Sequence, residues 1–266
     1  MRSIDKLPEG RYTYSATYKG TDKISRATDN GTFEIKSVEY NVILNAPDVK
    51  MIYHDGTRFI ATLTDKQGNP IRDAAIEITI NGKTYTKTTD EKGVVSLGLS
   101  LDSGIYTVTV NFKGLLNYTP ITKQAKVTIE PTVKGLDVVK MFRNNTQYYA
   151  IFTDSQGNPL KNKDIQFNIN GVFYTKTTND KGIAMMGINL NPGKYVITAI
   201  NLVTGEQSGN NITVKSLIVQ NDLTKYYLNA SRFQTTIYNK DGSLAANKEV
   251  TFNINGVFYH LSLIHI

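Results

Sequence analysis

Three histidines, no cysteine and no tryptophan leave little from which a catalytic centre could be assembled. Without cysteine there is no thiol nucleophile, no thiolate metal site and no disulfide framework. His54 is the histidine with a complete stretch of chain around it, because His260 and His265 lie at the very end. Its counterpart in the next copy of the repeat described below is Arg143, so no general base recurs and no Ser-His-Asp grouping can be drawn. Asp65 and Asp154 occupy Asp-x-x-Gly turns, where a carboxylate caps backbone N–H groups; they are not a facing acid pair. Asp48, Asp137 and Asp222 hold matching positions near the repeat junctions, and Asp90, Glu91 and Asp180 lie in the equivalent loop at one end of successive copies. Calcium at a junction would take about six to eight oxygens, but no dense Asp-x-Asp cluster is present. A Lys–Asn isopeptide bond would need a buried acid beside both groups, and an abundance of Lys and Asn alone does not indicate one. The reading is no catalytic residue, no metal and no cofactor.

Groups that could bind rather than react are easier to find. Tyr148-Tyr149 and Tyr226-Tyr227 put one aromatic on each face of a strand, and Phe173 follows an Asn-Gly turn. Outward rings of this kind stack on sugars or dock a neighbouring module. Phe173, Tyr148 and Tyr149 are therefore the candidate ligand contacts. Asn-x-Ser/Thr sequons stand at Asn30, Asn117, Asn144, Asn211 and Asn229, with Asn117 and Asn144, on loops, as the candidate glycan acceptors. The net charge of +7 comes from scattered lysines such as Lys66, Lys83, Lys87, Lys92 and Lys113. A nucleic-acid site would gather them on one face, so no nucleic-acid partner is expected.

These residues are carried by a repeat. Asp65-Lys-Gln-Gly-Asn-Pro-Ile71 returns as Asp154-Ser-Gln-Gly-Asn-Pro-Leu160, and in altered form as Asn239-Lys-Asp-Gly-Ser-Leu-Ala245. The offsets are 89 and then 85 residues, too long for a solenoid unit and right for one small all-β domain. Thirteen residues after the turn glycine, each copy has Asn-Gly: Asn81-Gly82, Asn170-Gly171 and Asn255-Gly256. The 266 residues, 40% hydrophobic and 10% aromatic, are enough for two to three such cores.

Within 47–131 the pattern gives seven short strands. They are Val49–Tyr53, Arg58–Thr64, Ile76–Ile80, Lys83–Thr89, Val95–Leu101, Tyr106–Val110 and Ala125–Ile129. Alternation such as Ile76, Ile78 and Ile80 against Glu77 and Thr79 marks one buried face. Asn-Gly predicts a type I′ hairpin, because both central residues need positive φ; Gly82, Gly171 and Gly256 are thus structural positions. That turn pairs Ile80 with Lys83 and Ile78 with Tyr85, and in the next copy Ile169 with Val172 and Phe167 with Tyr174. Asp102-Ser-Gly-Ile-Tyr106, followed by Val108, is similar to the tyrosine corner of immunoglobulin folds, and Tyr12 and Tyr195 repeat it. Tyr12, Tyr106 and Tyr195 are read as framework. The expected fold is all-β: tandem seven-stranded immunoglobulin-like β-sandwiches, with Ser37 to Ala46 and Thr132 to Leu136 as short connectors.

The run Tyr148-Tyr-Ala-Ile-Phe-Thr-Asp154, then Gly157-Asn-Pro-Leu160, Phe167-Asn-Ile-Asn-Gly171, Tyr174-Thr-Lys-Thr-Thr178, Leu190-Asn-Pro-Gly-Lys-Tyr195 and Asn211-Ile-Thr-Val-Lys215, resembles the tandem Ig-like repeats of archaeal adhesin-like surface proteins. It is more distantly similar to the bacterial Ig-like domains of invasin and intimin. The resemblance implies a large, extracellular, cell-anchored, non-enzymatic protein and carries over no catalytic residues. A high load of Asn, Lys, Ile and Tyr fits an AT-rich genome.

Residues 1–40 match the C-terminal part of a module, 47–131 and 136–215 read as complete modules, and 218–260 as the N-terminal part of another. Met1-Arg-Ser-Ile-Asp-Lys-Leu7 has no apolar core of a signal peptide, and Leu7-Pro-Glu-Gly-Arg-Tyr12 matches a stretch late in the complete copies, so both ends read as cut. Leu261-Ser-Leu-Ile-His-Ile266 departs from the repeat and resembles a translated transposon-end sequencing adapter, so 261–266 is expected to be non-native. The functional expectation is a cell-surface stalk with candidate adhesion surfaces. It would be a monomeric array, attached to the envelope through missing regions, whose partner is a protein or glycan of a host or neighbouring cell. Spacer modules of a secreted enzyme, and a carbohydrate-binding module, are the alternatives.

Overall fold

A computed structural model describes residues 7–36 and 38–263. Ser37 and Ile264–Ile266, which carry the start of the first connector and half of the suspected adapter, lie outside the described residues, as do Met1–Lys6. Among the described residues every regular element is a strand. The chain opens with a hairpin, β1 (Gly10–Tyr18) and β2 (Ala27–Ile35), in which Tyr12 faces Phe33 and their rings stack 5.3 Å apart.

The first repeat contains β3 (Val42–Asn45), β4 (Val49–Ile52), β5 (Arg58–Asp65), β6 (Ala75–Ile80), β7 (Lys83–Thr88), β8 (Val94–Gly98), β9 (Gly104–Phe112) and β10 (Ile121–Glu130). The second contains β11 (Val133–Gly135), β12 (Val138–Met141), β13 (Gln147–Phe152), β14 (Asp164–Ile169), β15 (Val172–Thr177), β16 (Ile183–Gly187), β17 (Gly193–Ile200) and β18 (Gln207–Lys215). Both fold the same way: β3-β5-β8 and β11-β13-β16 are three-stranded sheets, and β4-β10-β9-β6-β7 and β12-β18-β17-β14-β15 are five-stranded. β12 runs parallel to β18, whereas β17 runs antiparallel to it. A first strand divided between two sheets, with its second half parallel to the last strand, is immunoglobulin-like topology. β19 (Ile218–Gln220) pairs with β20 (Thr235–Ile237), and β21 (Glu249–Ile254) with β22 (Val257–Ser262).

The divided strand corrects the expected connectors. Val42–Asn45 lies in the first and pairs with Asp65–Thr62; Val133–Gly135 lies in the second and pairs with Phe152–Ala150. Each is too short to show periodicity, and each is held by a partner strand rather than by its own pattern. The first sandwich therefore begins before residue 47, and the second before 136.

Period-two alternation builds the cores. In the first repeat Phe59, Ala61, Leu63, Ile76, Ile78, Val108, Val110 and Phe112 are buried. In the second, one cluster joins Tyr148, Ala150, Phe152, Ile165, Phe167, Ile169, Ile197, Ala199, Ile212 and Val214. Burying a side chain such as these contributes roughly 1.5–3 kcal/mol. The Asn-Gly turns adopt left-handed φ at both positions, 48° and 73° at Asn81-Gly82 and 52° and 77° at Asn170-Gly171. The resulting register pairs Ile78 with Tyr85 and Phe167 with Tyr174. Tyr85 and Tyr174 nevertheless stay substantially exposed, because β7 and β15 are edge strands. Gly182 shows why another turn glycine recurs: a Cβ there would collide with the Phe152 carbonyl, which accepts from Leu160 N at 3.0 Å. Gly93 stands in the same relation to Leu63.

Candidate binding surfaces and framework residues

The turns that carry the acidic residues are closed on themselves. Asp65 Oδ1 accepts from Gln67 N (2.9 Å) and Asn69 N (2.8 Å), and Asp154 Oδ1 accepts likewise from Gln156 N and Asn158 N. The Asn69 side chain, then the backbone amides, hold the Asp65 carboxyl below its ordinary value. Asp48 Oδ1 accepts from Lys126 N at 2.7 Å, and Asp137 Oδ1 from Asn211 N at 2.8 Å. These matched acids clamp the divided first strand to the last one. Asp90 Oδ1 binds Lys92 N and Val94 N. Among the described residues no group of three or more His, Cys, Asp or Glu is placed to hold a metal ion.

The turn containing His54 shows what the repeat keeps. His54, Arg143 and Leu228 have φ of 58°, 57° and 61°. Asp55 N, Asn144 N and Asn229 N then donate back to Ile52 O, Met141 O and Tyr226 O at 3.0–3.1 Å. The left-handed bend is common to all three, while the side chain changes from imidazole to guanidinium to isobutyl. Such a position carries geometry rather than chemistry.

Tyr195 Oη donates to Asn191 O at 2.9 Å, and Tyr12 Oη to Pro8 O at 2.7 Å, each four residues back. Tyr106 holds the matching place in β9. Gly82, Gly171 and Gly256 have open space where a Cβ would stand, so their positive φ alone sets the residue type.

The candidate contacts separate. Tyr148 is fully buried, which removes it as a ligand contact: alternation along β13 turns one residue of the Tyr-Tyr pair inward. Its ring meets Phe167 edge-on at 5.3 Å, and its Oη donates to Asn210 Oδ1 at 2.7 Å. Burial, then the nearby Asp137 charge, push its phenol up to about 12. Tyr149 is exposed on the three-stranded sheet, opposite Met185. Phe173 is 59% exposed on the other sheet, opposite Asn168. Tyr149 and Phe173 thus do not share a surface.

The two loop sequons also differ. Asn117 lies in the Leu115–Tyr118 turn, and its carbonyl accepts from Tyr40 N at 2.7 Å. Asn144 Nδ2 donates to Lys240 O at 2.8 Å, and its Oδ1 accepts from Thr146 N and Oγ1.

Two buried polar groups escaped the sequence reading. Lys140 Nζ donates to the carbonyls of Asn144, Thr146 and Ile188 at 2.5–3.2 Å, and desolvation lowers its pKa. Glu206 Oε2 accepts from both N and Oγ1 of Thr132 at 2.5 and 2.6 Å, beside the buried Asn201. The repeat counterparts, Met51 for Lys140 and Ile43 for Thr132, the partner of Glu206, were the available signal that the second repeat had changed there.

Two sandwiches of one strand order, with capped turns and tyrosine corners as common framework, define an array of Ig-type modules. No protein-family model matches the chain. In an alignment 228 residues long that covers 74% of this chain, it is 25% identical to the inverse autotransporter adhesin YeeJ of Escherichia coli strain K12. The chain spans 9% of that relative's length. Solved structures that align with the chain include a 1.5-MDa bacterial ice-binding adhesin, at 14% identity, 80% of this chain, 76% of that chain and a TM-score of 0.30. A chimeric titin Z1Z2 tandem aligns at 13% identity over 66% of this chain and 98% of its own, with a TM-score of 0.30. The chain is thus similar, at 25% identity, to part of a bacterial adhesin, and its two sandwiches have Ig-type topology.

Proposed function

We propose that this chain is part of a non-enzymatic, extracellular adhesin-like protein of the cell surface, whose Ig-type repeats form a stalk and present binding faces. One observation carries the reading: the repeat retains its framework while its outward positions change. Thr84, Ile60 and Ser96 of the first sandwich correspond to Phe173, Tyr149 and Met185 of the second. A reused scaffold with varied faces serves spacing and recognition, whereas catalysis needs the same reacting groups held in place. The relation to an adhesin supports the same reading. The scattered lysines support a solvated surface, and with it a monomeric array whose partner is a protein or glycan of another cell. The resemblance to archaeal surface proteins, and a composition suited to an AT-rich genome, support an archaeal source within this proposal.

The test is particle adhesion joined to a long read of the whole gene. Beads coated with the chain should be retained on layers of partner cells under flow, and the gene should encode more repeats with an envelope anchor. Beads that attach to no cell surface would refute the reading, and a catalytic domain beside these repeats would replace it with enzyme spacers.

A further inference from the structure

The outer face of each five-stranded sheet can be compared position by position, and the two sandwiches treat it differently. In the first, the side chains satisfy one another. Thr79 and Thr84 hydroxyls lie 2.8 Å apart, Asn111 Nδ2 donates to Glu77, Thr122 Oγ1 donates to Asn111 Oδ1 at 3.0 Å, and Lys113 pairs with Glu77. The second sandwich has Gln166 for Glu77, Asn168 for Thr79, Phe173 for Thr84, Ile200 for Asn111 and Leu202 for Lys113. That ion pair and those hydrogen bonds are gone, and the side-chain bond on this face runs instead from Thr177 Oγ1 to Asp164 Oδ1 at 2.9 Å, at the far end of β14 from Asn168. Among the described residues the side chains of Gln166, Asn168, Thr175 and Thr198 make no hydrogen bond within the chain.

What replaces them forms a row. Phe173 lies opposite Asn168, Asn168 opposite Thr198, and Thr198 opposite Gly209. Four adjacent strands at sheet spacing make this row about 14 Å long, the reach of a short oligosaccharide. An exposed ring stands at one end, an amide and a hydroxyl follow, and the far end is kept low by glycine. No formal charge stands in the row.

Each class of occupant can be judged by this chemistry. An apolar partner would bury Asn168 and Gln166 without hydrogen-bond partners, which is costly. A charged partner would find no opposite charge in the row. A neutral sugar chain meets both demands: its C–H face stacks on the negative face of Phe173, and its hydroxyls pair with the amides and threonines as both donor and acceptor. We propose that the outer face of the five-stranded sheet in the second sandwich, centred on Phe173, Asn168, Thr198 and Gln166, binds a neutral polysaccharide. The inference rests on the adhesin-like reading and names the ligand class for it.

The test uses affinity electrophoresis of the full chain through gels of β-glucan, mannan and galactan, with polygalacturonate and heparin as charged controls. The variant Asn168→Thr/Phe173→Thr installs the residues that the first sandwich already folds with, and Gln166→Glu restores its charge. The chain should be retarded by at least one neutral polymer, and the retardation should change little between about 0.05 and about 0.5 M salt. Both variants should weaken binding at least about tenfold while leaving circular dichroism unchanged. Absence of retardation on every neutral polymer, or retardation that survives both variants, overturns the proposal; so does binding to the charged controls alone. Bead attachment to cells that persists in both variants removes this site and leaves the adhesin reading standing. Sugar binding lost in the variants, without bead attachment to any cell, supports the site and sinks the adhesin reading.

Discussion

Gly135, Tyr148 and Asn210 form a set that the first repeat solves with other residues. Their counterparts are Ala46, Phe59 and Ala125, all buried. In the second sandwich a Cβ at Gly135 would fall on Tyr148 Oη and Asn210 Oδ1. The tyrosine hydroxyl therefore occupies the space that the Ala46 methyl group fills in the first. Gly135→Ala alone overpacks this site and should cost about 1–3 kcal/mol. Tyr148→Phe alone loses the 2.7 Å bond to Asn210 and should cost about 1 kcal/mol. Together they clear the Tyr148 hydroxyl from the path of the new methyl group, leaving the Asn210 side chain to turn aside, so the double variant should be less destabilised than the sum, with a coupling of about 1–3 kcal/mol.

Hydrogen exchange of β13 and β14 amides reads the stability of this sandwich separately from the rest of the chain. Alkali provides a second reading. The Tyr148 phenol titrates near 12 in the folded chain, against 10.0 when free. Its pKa is raised by folding, so its contribution is complete below about pH 10 and lost as pH climbs towards 12. That loss amounts to roughly 2–3 kcal/mol. The wild type, more stable than Tyr148→Phe at pH 8, should become the less stable of the two by about pH 12. Additive single variants, or a stability difference that does not change with pH, would refute the packing argument.

Three further outcomes are expected. Tyr195→Phe removes the bond to Asn191 O and should cost about 1 kcal/mol, a melting shift of about 4–8 °C for a domain of this size, measured by calorimetry. Gly182→Ala forces a side chain into left-handed φ and onto the Phe152 carbonyl; a loss of about 1–3 kcal/mol or more in a urea titration is expected, and a neutral result would contradict the turn geometry. The Asn211 amide, then the Asn211 side chain, hold the Asp137 carboxyl below its ordinary value. Its contribution is therefore present above about pH 4 and lost as pH falls. Exchange protection of the Asn211 amide, corrected for the intrinsic rate, should fall in acid in the wild type and be low at all pH values in Asp137→Ala.

Local signals were enough for much of the fold. The Asn-Gly turns fix hairpin register because only left-handed φ at two successive residues closes them. The alternation of Ile76, Ile78 and Ile80 names a buried face because strand side chains point in opposite directions. The offset of 89 and then 85 residues spaces the turns and hairpins of successive copies along the chain. Tertiary structure decided what depends on partners distant in the chain. The short strands Val42–Asn45 and Val133–Gly135 exist because β5 and β13 hold them, and no tetrapeptide announces that. Which of Tyr148 and Tyr149 is buried follows from the register of β13 against β16, since two adjacent tyrosines are alike in sequence. The outer face of the second sandwich is likewise tertiary, because Gln166, Asn168, Phe173, Thr198 and Gly209 come from four strands brought side by side only by the sheet.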